Sequence, residues 1–407
     1  MKQVDIKTAF LYGELTEEIY LQQPEGFIVP GQENLVCRLH KCLYGLKQAS
    51  RVWNRHFDHF LKNFGLTSSE ADPCLYFRRT QDELTIVTIW VDDGLICSSN
   101  GDTVSGIINY LSKHFDMRSS PANIFVGMSI SRDRVNRTLY VSQPEYTQKI
   151  LRRFHMDHCH PKSLPADPGQ RLCKNQDNST ENVRVPFKEA IGSLMYLMLS
   201  TRPDIAFSLN QVSQFSENPK KEHWAAVKRI LAYLQGTPNH GLRFSTGDTL
   251  IGFTDADYAG NFQTRQSTSG FIFLLNGGPV AWSSRRQPCV ALSTTEAEFF
   301  AACEATKEGI WIRRLLLELF PEWNKPIPIK CDNQSAIELI KNPRFHQRTK
   351  HVDIRFHFIR EHQEAKEIEV AYISTDNQLA DPFTKPLPNP RFSNLRSLIG
   401  IVVTPSQ

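Results

Sequence analysis

Asp92 and Asp93 stand side by side in the segment Leu84-Thr-Ile-Val-Thr-Ile-Trp-Val-Asp-Asp-Gly-Leu-Ile-Cys97. β-Branched and aromatic residues lead up to the pair, Gly94 is expected to permit a turn, and Leu95-Ile96-Cys97 lead away. The segment therefore reads as a β-hairpin with two acids at its tip. Neighbouring carboxylates repel, and apolar flanks raise the cost of ionising them. A chain that keeps them there has a use for a cation between them. Hard oxygen ligands suit magnesium, and the matching chemistry is phosphoryl transfer. Asp5, in Val4-Asp-Ile-Lys-Thr-Ala-Phe10, is a candidate third ligand. Three such carboxylates can hold two Mg²⁺ ions about 4 Å apart, one activating an attacking hydroxyl and one steadying a leaving pyrophosphate. The bland alternative for a lone Asp-Asp pair is a surface turn; the hairpin context favours the metal.

A second acidic set lies in the last third of the chain. Asp255 follows a strand-like run, Glu298 falls in the first turns of a long helix, Asp332 follows a strand ending at Cys331, and Asp381 is expected to start the last helix. Carboxylates at strand ends and helix starts converge at one edge of a sheet, where ligands bind in α/β folds. Four of them suit a two-metal hydrolase. Taken singly, Asp332 and Asp381 read rather as helix caps, and Glu296 and Glu298 as charges favourable at a helix start. Asp257 and Glu296 lie close enough to leave the register open.

The elements that must position these residues change character along the chain. Residues 1–160 alternate short apolar strands with amphipathic helices, one of them beginning at Asp102 as N-cap and continuing through Ile107, Ile108, Leu111 and Phe115. Ser163 to Val185 is polar and rich in turn formers, and reads as a linker or long surface loop. Trp224, Val227, Ile230, Leu231 and Leu234 recur at helical spacing, with Gly236 as the stop. Lys220, Lys221, Lys228 and Arg229 nearby form either a solvated face or a phosphate-contacting one. From Thr249 onward three strands come first, and then strands alternate with helices, which gives a mixed α/β domain. There is no internal repeat.

At 407 residues the chain exceeds a single ordinary core, so two or three domains are expected. A hydrophobic content of 40% and a charged content of 22% are those of a globular protein, and a net charge of +4 is compatible with nucleic acid without requiring it. Nine cysteines without a CxxC pair fit a reducing, intracellular compartment. Cys159 among His155, His158 and His160 matches no structural zinc spacing and reads as a polar loop. Lys2, Asp5 and Lys7 interrupt any apolar signal region, and no run of about 18 apolar residues suggests a membrane span.

Four segments carry a resemblance: Val4-Asp-Ile-Lys-Thr-Ala-Phe10, Gln23-Pro-Glu-Gly-Phe27, Leu43-Tyr-Gly-Leu-Lys-Gln-Ala49 and Trp90-Val-Asp-Asp93. In this order and spacing they resemble the reverse transcriptase of copia-type LTR retrotransposons. The likeness continues through Phe125–Ile130 and Thr201-Arg-Pro-Asp204. It then reaches a copia-type ribonuclease H in Phe253–Gly260, Leu292–Glu298, Cys331-Asp-Asn333 and Leu379-Ala-Asp381. The fold it implies is multidomain, α/β and α+β. A reverse transcriptase palm and the start of a thumb would span 1–162, and a linker with a helical thumb or connection 163–248. A ribonuclease H-like mixed-sheet domain would span 249–390 and a C-terminal tail 391–407.

The resemblance also implies roles. Asp5 and Asp92, with Asp93 third, would hold the polymerase metals, and Asp255, Glu298, Asp332 and Asp381 those of the nuclease: Mg²⁺, with Mn²⁺ as the alternative. Phe10 would be an aromatic gate against a ribose 2′-hydroxyl, where the bland alternative is a core phenylalanine. Tyr44, Gly45 and Lys47 would line nucleotide and template, and Phe125–Ile130 would lie near the primer end. The implied partners are an RNA template, a DNA primer, an RNA–DNA hybrid, deoxynucleoside triphosphates and other parts of the Pol polyprotein, with no membrane. The implied location is intracellular, in a cytoplasmic virus-like particle where the element is intact. Arg348, Lys350 and Arg355 are candidates for contacting the nucleic-acid backbone, whereas His346, His351 and His357 are given no catalytic role.

The chain departs from the family pattern at Ser50, where proline is usual, and at Arg118-Ser-Ser-Pro121, where Arg118 stands in for an expected lysine or the lysine is lost. No histidine shortly precedes Asp381. Only four residues precede Asp5, so the basic fingers that grip the triphosphate are expected to be largely missing and polymerase activity weak. Two alternatives stay open: a relic with ribonuclease H activity only, or a non-catalytic nucleic-acid-binding protein.

Overall fold

The computed structural model describes residues 1–173, 185–341 and 350–405, with side chains from 355 onward in the last stretch. It divides into two compact units. One comprises Met1–Val126 with Leu315–Pro321, the other Gly127–Arg314 with Glu322–Gln407.

The strands of the first unit are β1 (Lys2–Ile6), β2 (Tyr20–Gln22), β3 (Val36–Arg38), β4 (Thr67–Ser68), β5 (Leu75–Arg79), β6 (Leu84–Trp90), β7 (Asp93–Ser98), β8 (Met117–Pro121) and β9 (Ile124–Phe125). Its helices are α1 (Ala49–Asn63) and α2 (Gly101–Ser112). The main sheet runs in the order β4-β5-β6-β7-β1-β8, antiparallel throughout. Period-two alternation on β1 turns Val4 and Ile6 to the core and leaves Asp5 exposed. α1 buries Ala49, Trp53, Phe57 and Leu61 at four-residue spacing, and α2 buries Val104, Ile107 and Leu111; all but Ala49 join the core of Val4, Ile6, Val87 and Ile96. Helices on one face of an antiparallel sheet leave the other face open to a ligand.

Two local expectations change. The hairpin turn is Val91-Asp92, and Gly94 lies inside β7. A Cβ on Gly94 would come within 2.7 Å of Val4 Cγ2, so the glycine serves the close approach of β7 to β1. The N-cap of α2 is Asn100, whose side chain accepts from Asp102 N–H at 2.9 Å; Asp102 instead puts a negative charge in the first turn.

In the second unit, β10 (Met128–Asp133), β11 (Thr138–Ser142), β12 (His240–Phe244) and β18 (Ile401–Val403) pair side by side. The helices α3 (Pro144–Arg153), α4 (Phe187–Ser200), α5 (Ala206–Ser213) and α6 (Lys221–Gly236) build a common core with Leu242, Phe253, Ile272, Leu395 and Ile401. Within the expected linker, Leu164 is buried in that core, and 174–184 lie outside the described residues. The residues expected as a tail contain most of α10 (Asn389–Leu398) and all of β18, which pairs with β12. Arg229 is ion-paired with Asp167 at 3.0 Å, so it is not a free phosphate contact.

A five-stranded mixed sheet completes this unit. Its strands are β13 (Leu250–Asp257), β14 (Thr268–Leu275), β15 (Gly278–Arg286), β16 (Ile327–Cys331) and β17 (Ile368–Tyr372), in the order β15-β14-β13-β16-β17. The first three are antiparallel; β16 joins β13, and β17 joins β16, in parallel. Ile272 and Leu274 face the common core. Phe273, between them, faces α7 (Thr294–Leu319), where its ring lies close to Gly309. Burial on both faces explains why β13 and β14 read as nearly continuous apolar runs. α8 (Gln334–Lys341) and α9 (Lys350–Glu364) contact β17. Among the described residues no helix is long and apolar enough to cross a membrane.

Candidate active sites

The four acids of the mixed sheet converge. Gly252 and Phe253 of β13 pair with Ile329 and Lys330 of β16, so two residues further along each strand Asp255 and Asp332 reach the same edge. This is the carboxyl edge of two parallel strands. Glu298 enters from the start of α7. Asp381 opens a one-turn 3₁₀ helix, Asp381–Phe383, rather than the last α-helix, which begins at Asn389. Gln378 ties this turn to the sheet by donating to Thr254 O at 2.9 Å. Gly270, opposite Asp255 on β14, leaves the room the turn needs: a Cβ there would lie 2.7 Å from Phe383 Cβ.

Asp255 and Asp381 are 2% and 0% exposed, and Glu298 is 6% exposed. Ligand atoms of Glu298, Cys331 and Asp332 lie within 4.8 Å of one another, the one such group of three among the described residues. Glu298 Oε2 is buried without a hydrogen-bond partner. Burial, with the negative charges of Asp255 and Asp332, holds the Glu298 carboxyl well above its ordinary range. Asp255 is pushed up to about 6, chiefly by burial; Asp381 and Asp332 add to this, and Lys385 and the Thr384 hydroxyl oppose it. Burial also raises the Cys331 thiol, helped by Glu298, so the hard oxygens rather than this sulfur suit a magnesium-like ion. A buried, unpartnered carboxylate oxygen among further carboxylates fits a divalent cation.

Cationic and hydroxyl groups surround the acids. Lys385 Nζ is 2.7 Å from Asp381 Oδ1 and 3.5 Å from Asp255 Oδ2. Arg391 Nη2 donates to Asp381 Oδ2 and to Thr375 O, both at 2.6 Å. The Thr384 hydroxyl donates to Asp255, and Thr375 Oγ1 donates to Asp332 Oδ2 at 2.8 Å. Burial works against the Lys385 ammonium, but Asp255 and Asp381 outweigh it, and its pKa is raised. Sequence reasoning missed Lys385, Arg391 and Thr384, although the spacing of Asp381 and Lys385 is an i, i+4 acid–base pair. The two acids of the alternative register have surroundings of their own. Glu296 accepts from Leu292 N–H at 2.6 Å while its own N–H donates to Ser293 Oγ at 3.1 Å, and it serves as a helix cap. Asp257 lies beyond the group just described; burial raises it and Lys385 opposes the rise.

The other set sits on the sheet of the first unit. Asp5 on β1 pairs with Asp93 on β7 and, on its other side, with Arg118 on β8. Directly opposed residues point to one face, so Arg118 stands beside the acids. Asp92 in the turn is held by Ile6 N–H donating to Asp92 O at 2.9 Å. Burial raises the Asp93 carboxyl, and the charges of Asp92 and Asp5 raise it further. The close group of three named above does not include these acids. Val91 takes φ +59°, a left-handed value costly for a β-branched residue. Trp53 Nε1 donates to Val91 O at 2.5 Å from within a cluster of Tyr12, Phe57 and Phe115. Trp53 was not singled out on sequence, because a helix-facing tryptophan reads as core.

Phe10 lies in the 3₁₀ turn Ala9–Tyr12, its ring 4.7 Å from that of the exposed Tyr44. Burial raises the Tyr44 phenol, and the charges of Asp92 and Asp5 add to the shift. Gly45 takes φ +99°, and Lys47 is exposed. Arg355 stacks over the Phe300 ring at 3.8 Å; Arg348 and the Lys350 side chain lie outside the described residues.

Residues 1–168 match the family model described as reverse transcriptase (RNA-dependent DNA polymerase), which is the class of the acid-bearing antiparallel sheet of the first unit. The chain is 45% identical to the retrovirus-related Pol polyprotein from transposon TNT 1-94 of Nicotiana tabacum, over 98% of its own length and 31% of that protein's. It is 38% and 36% identical, over its whole length and 28% of each relative, to those of transposons RE1 and RE2 of Arabidopsis thaliana. The chain belongs to the copia-type retrotransposon Pol family, as a reverse transcriptase–ribonuclease H segment. It spans about a third of the length of these relatives.

Proposed function

We propose that this chain cleaves RNA in RNA–DNA hybrids at Asp255, Glu298, Asp332 and Asp381, and extends DNA on an RNA or DNA template at Asp5, Asp92 and Asp93. The observation that carries the hydrolase reading is the buried Glu298 Oε2, without a hydrogen-bond partner and close to Asp332. A buried ionisable oxygen left unpaired is costly unless a cation completes it. Divalent ions, Mg²⁺ or Mn²⁺, would supply Lewis-acid activation of water and stabilisation of phosphate charge. The protein's own part is to hold oxygens. Glu298 and Asp332 present theirs from α7 and the end of β16. Thr375 orients Asp332, and Thr384 orients Asp255. At the other site Trp53 and Ile6 fix the turn that carries Asp92. Phe10 and Tyr44, whose rings touch, are the aromatic pair for an incoming sugar, and Arg118, opposite Asp5, is the cation for its phosphates. The nucleic-acid and deoxynucleoside triphosphate partners follow from these two chemistries.

The test of the hydrolase reading is cleavage of a labelled RNA–DNA hybrid with Mg²⁺. Asp332→Asn keeps shape and removes the charge, and is expected to lower the rate at least 100-fold with hybrid binding retained. An unaltered rate removes Asp332 from the site and with it the reading.

A further inference from the structure

We propose that Lys385 is a built-in cation of the four-carboxylate site, which one divalent ion enters readily at Glu298 and Asp332 and a second enters only by displacing the lysine from between Asp255 and Asp381. The proposal rests on the hydrolase reading above and concerns how its metals load.

The two halves of the site differ. On one side Glu298 Oε2 has no partner and lies within reach of Asp332. On the other, a cation already stands at each Asp381 oxygen: Arg391 donates to Oδ2 at 2.6 Å, and Oδ1, which accepts no hydrogen bond, has the Lys385 ammonium at 2.7 Å. Asp255 Oδ2 accepts from Thr384 and has Lys385 at 3.5 Å. Two almost fully buried carboxylates need a counter-charge, since an unpaired buried charge is strongly unfavourable. Lys385 lies four residues after Asp381, so the one-turn helix brings its own counter-ion.

The two cations are not equivalent. Arg391 is fixed by a second bond, to Thr375 O at 2.6 Å. The two side chains are alike in exposure, 31% for Lys385 and 30% for Arg391, so what sets Lys385 apart is its compact ammonium on a flexible stem. A divalent ion arriving between Asp255 and Asp381 brings twice its charge and takes its place, while Arg391 stays.

The test is Mn²⁺ binding to the full chain, followed by electron paramagnetic resonance, in an Asp92→Asn background that weakens ion binding at the hairpin acids. Two steps are expected, the second at least tenfold weaker than the first. Lys385→Met should tighten the second step at least tenfold and more than the first, while Lys385→Arg leaves it weak. An unchanged second step in Lys385→Met overturns the lysine proposal and leaves the hydrolase reading standing. No bound ion in either protein overturns both. A measurement on the unsubstituted lysine covers a misfolded variant: the rate at which Lys385 is acetylated, read by mass spectrometry. Saturating Mn²⁺ should raise that rate several-fold, and an unchanged rate overturns displacement.

Discussion

Charge held out of water sets the character of the nuclease site. Asp255 rises to about 6 mainly through burial, against about 3.9 for an unfolded aspartate. Between about pH 4 and 6 the folded chain therefore keeps a proton that the unfolded chain has released. Stability contributed by Asp255 is full below about pH 4 and is lost as pH rises through 6. Glu298 shifts in the same direction. Denaturant titrations of the metal-free chain and of Asp255→Asn, at pH 4.5 and pH 7 in the same buffer system, isolate the term. The unsubstituted chain is expected to lose on the order of 2 kcal/mol relative to the variant across that interval. Mg²⁺ is expected to recover most of the loss at pH 7 in the unsubstituted chain only. A flat difference between the two proteins would show that Asp255 titrates as an ordinary exposed acid.

At the scale of elements, what was legible in the sequence is what periodicity and strand ends encode. The hairpin of β6 and β7 follows from β-branched alternation, and α6 from its apolar stripe. Asp255 and Asp332 were visible because each stands at the end of an apolar run. Packing that brings distant residues together left no such mark. Gly94 reads as a turn former, but its bare backbone is needed for Val4. Lys385 becomes a partner of Asp255 only once the one-turn helix folds back on β13. Trp53 shows the same limit: its ring is core while its N–H restrains a strained turn 38 residues away. Trp53→Phe keeps the ring packing and removes that bond. It is expected to lower the urea-unfolding free energy by about 1 kcal/mol. The loss should shrink in a Val91→Gly background, where the left-handed turn is no longer strained. Equal losses in both backgrounds would mean that the bond does not restrain the turn.

At the largest scale, the helical and mixed-sheet parts of the second unit share one core, and a buried polar network that the sequence did not advertise ties its helices to one another. Thr201-Arg-Pro-Asp204 reads as a family motif without an assigned role. In the structure Arg202 and Asp204, 1% and 2% exposed, form an ion pair at 2.8 Å. Arg202 also donates to Thr237 O at 2.8 Å, and the Tyr233 hydroxyl donates to Asp204 at 2.5 Å. Arg396 of α10 donates to Tyr233 at 3.0 Å. The motif thus joins the start of α5 to α6 and α10, and so to the segment that follows Asp381 and Lys385. A buried pair of this kind is sensitive to losing one member and far less so to losing both. Asp204→Asn is expected to cost about 3–5 kcal/mol by leaving Arg202 unpaired out of water. The double variant Arg202→Met/Asp204→Leu should cost clearly less than the sum of its single substitutions. Denaturant titration of the four proteins closes the cycle; additive losses would mean that the pair is not a coupled unit and that the motif holds these helices by packing alone.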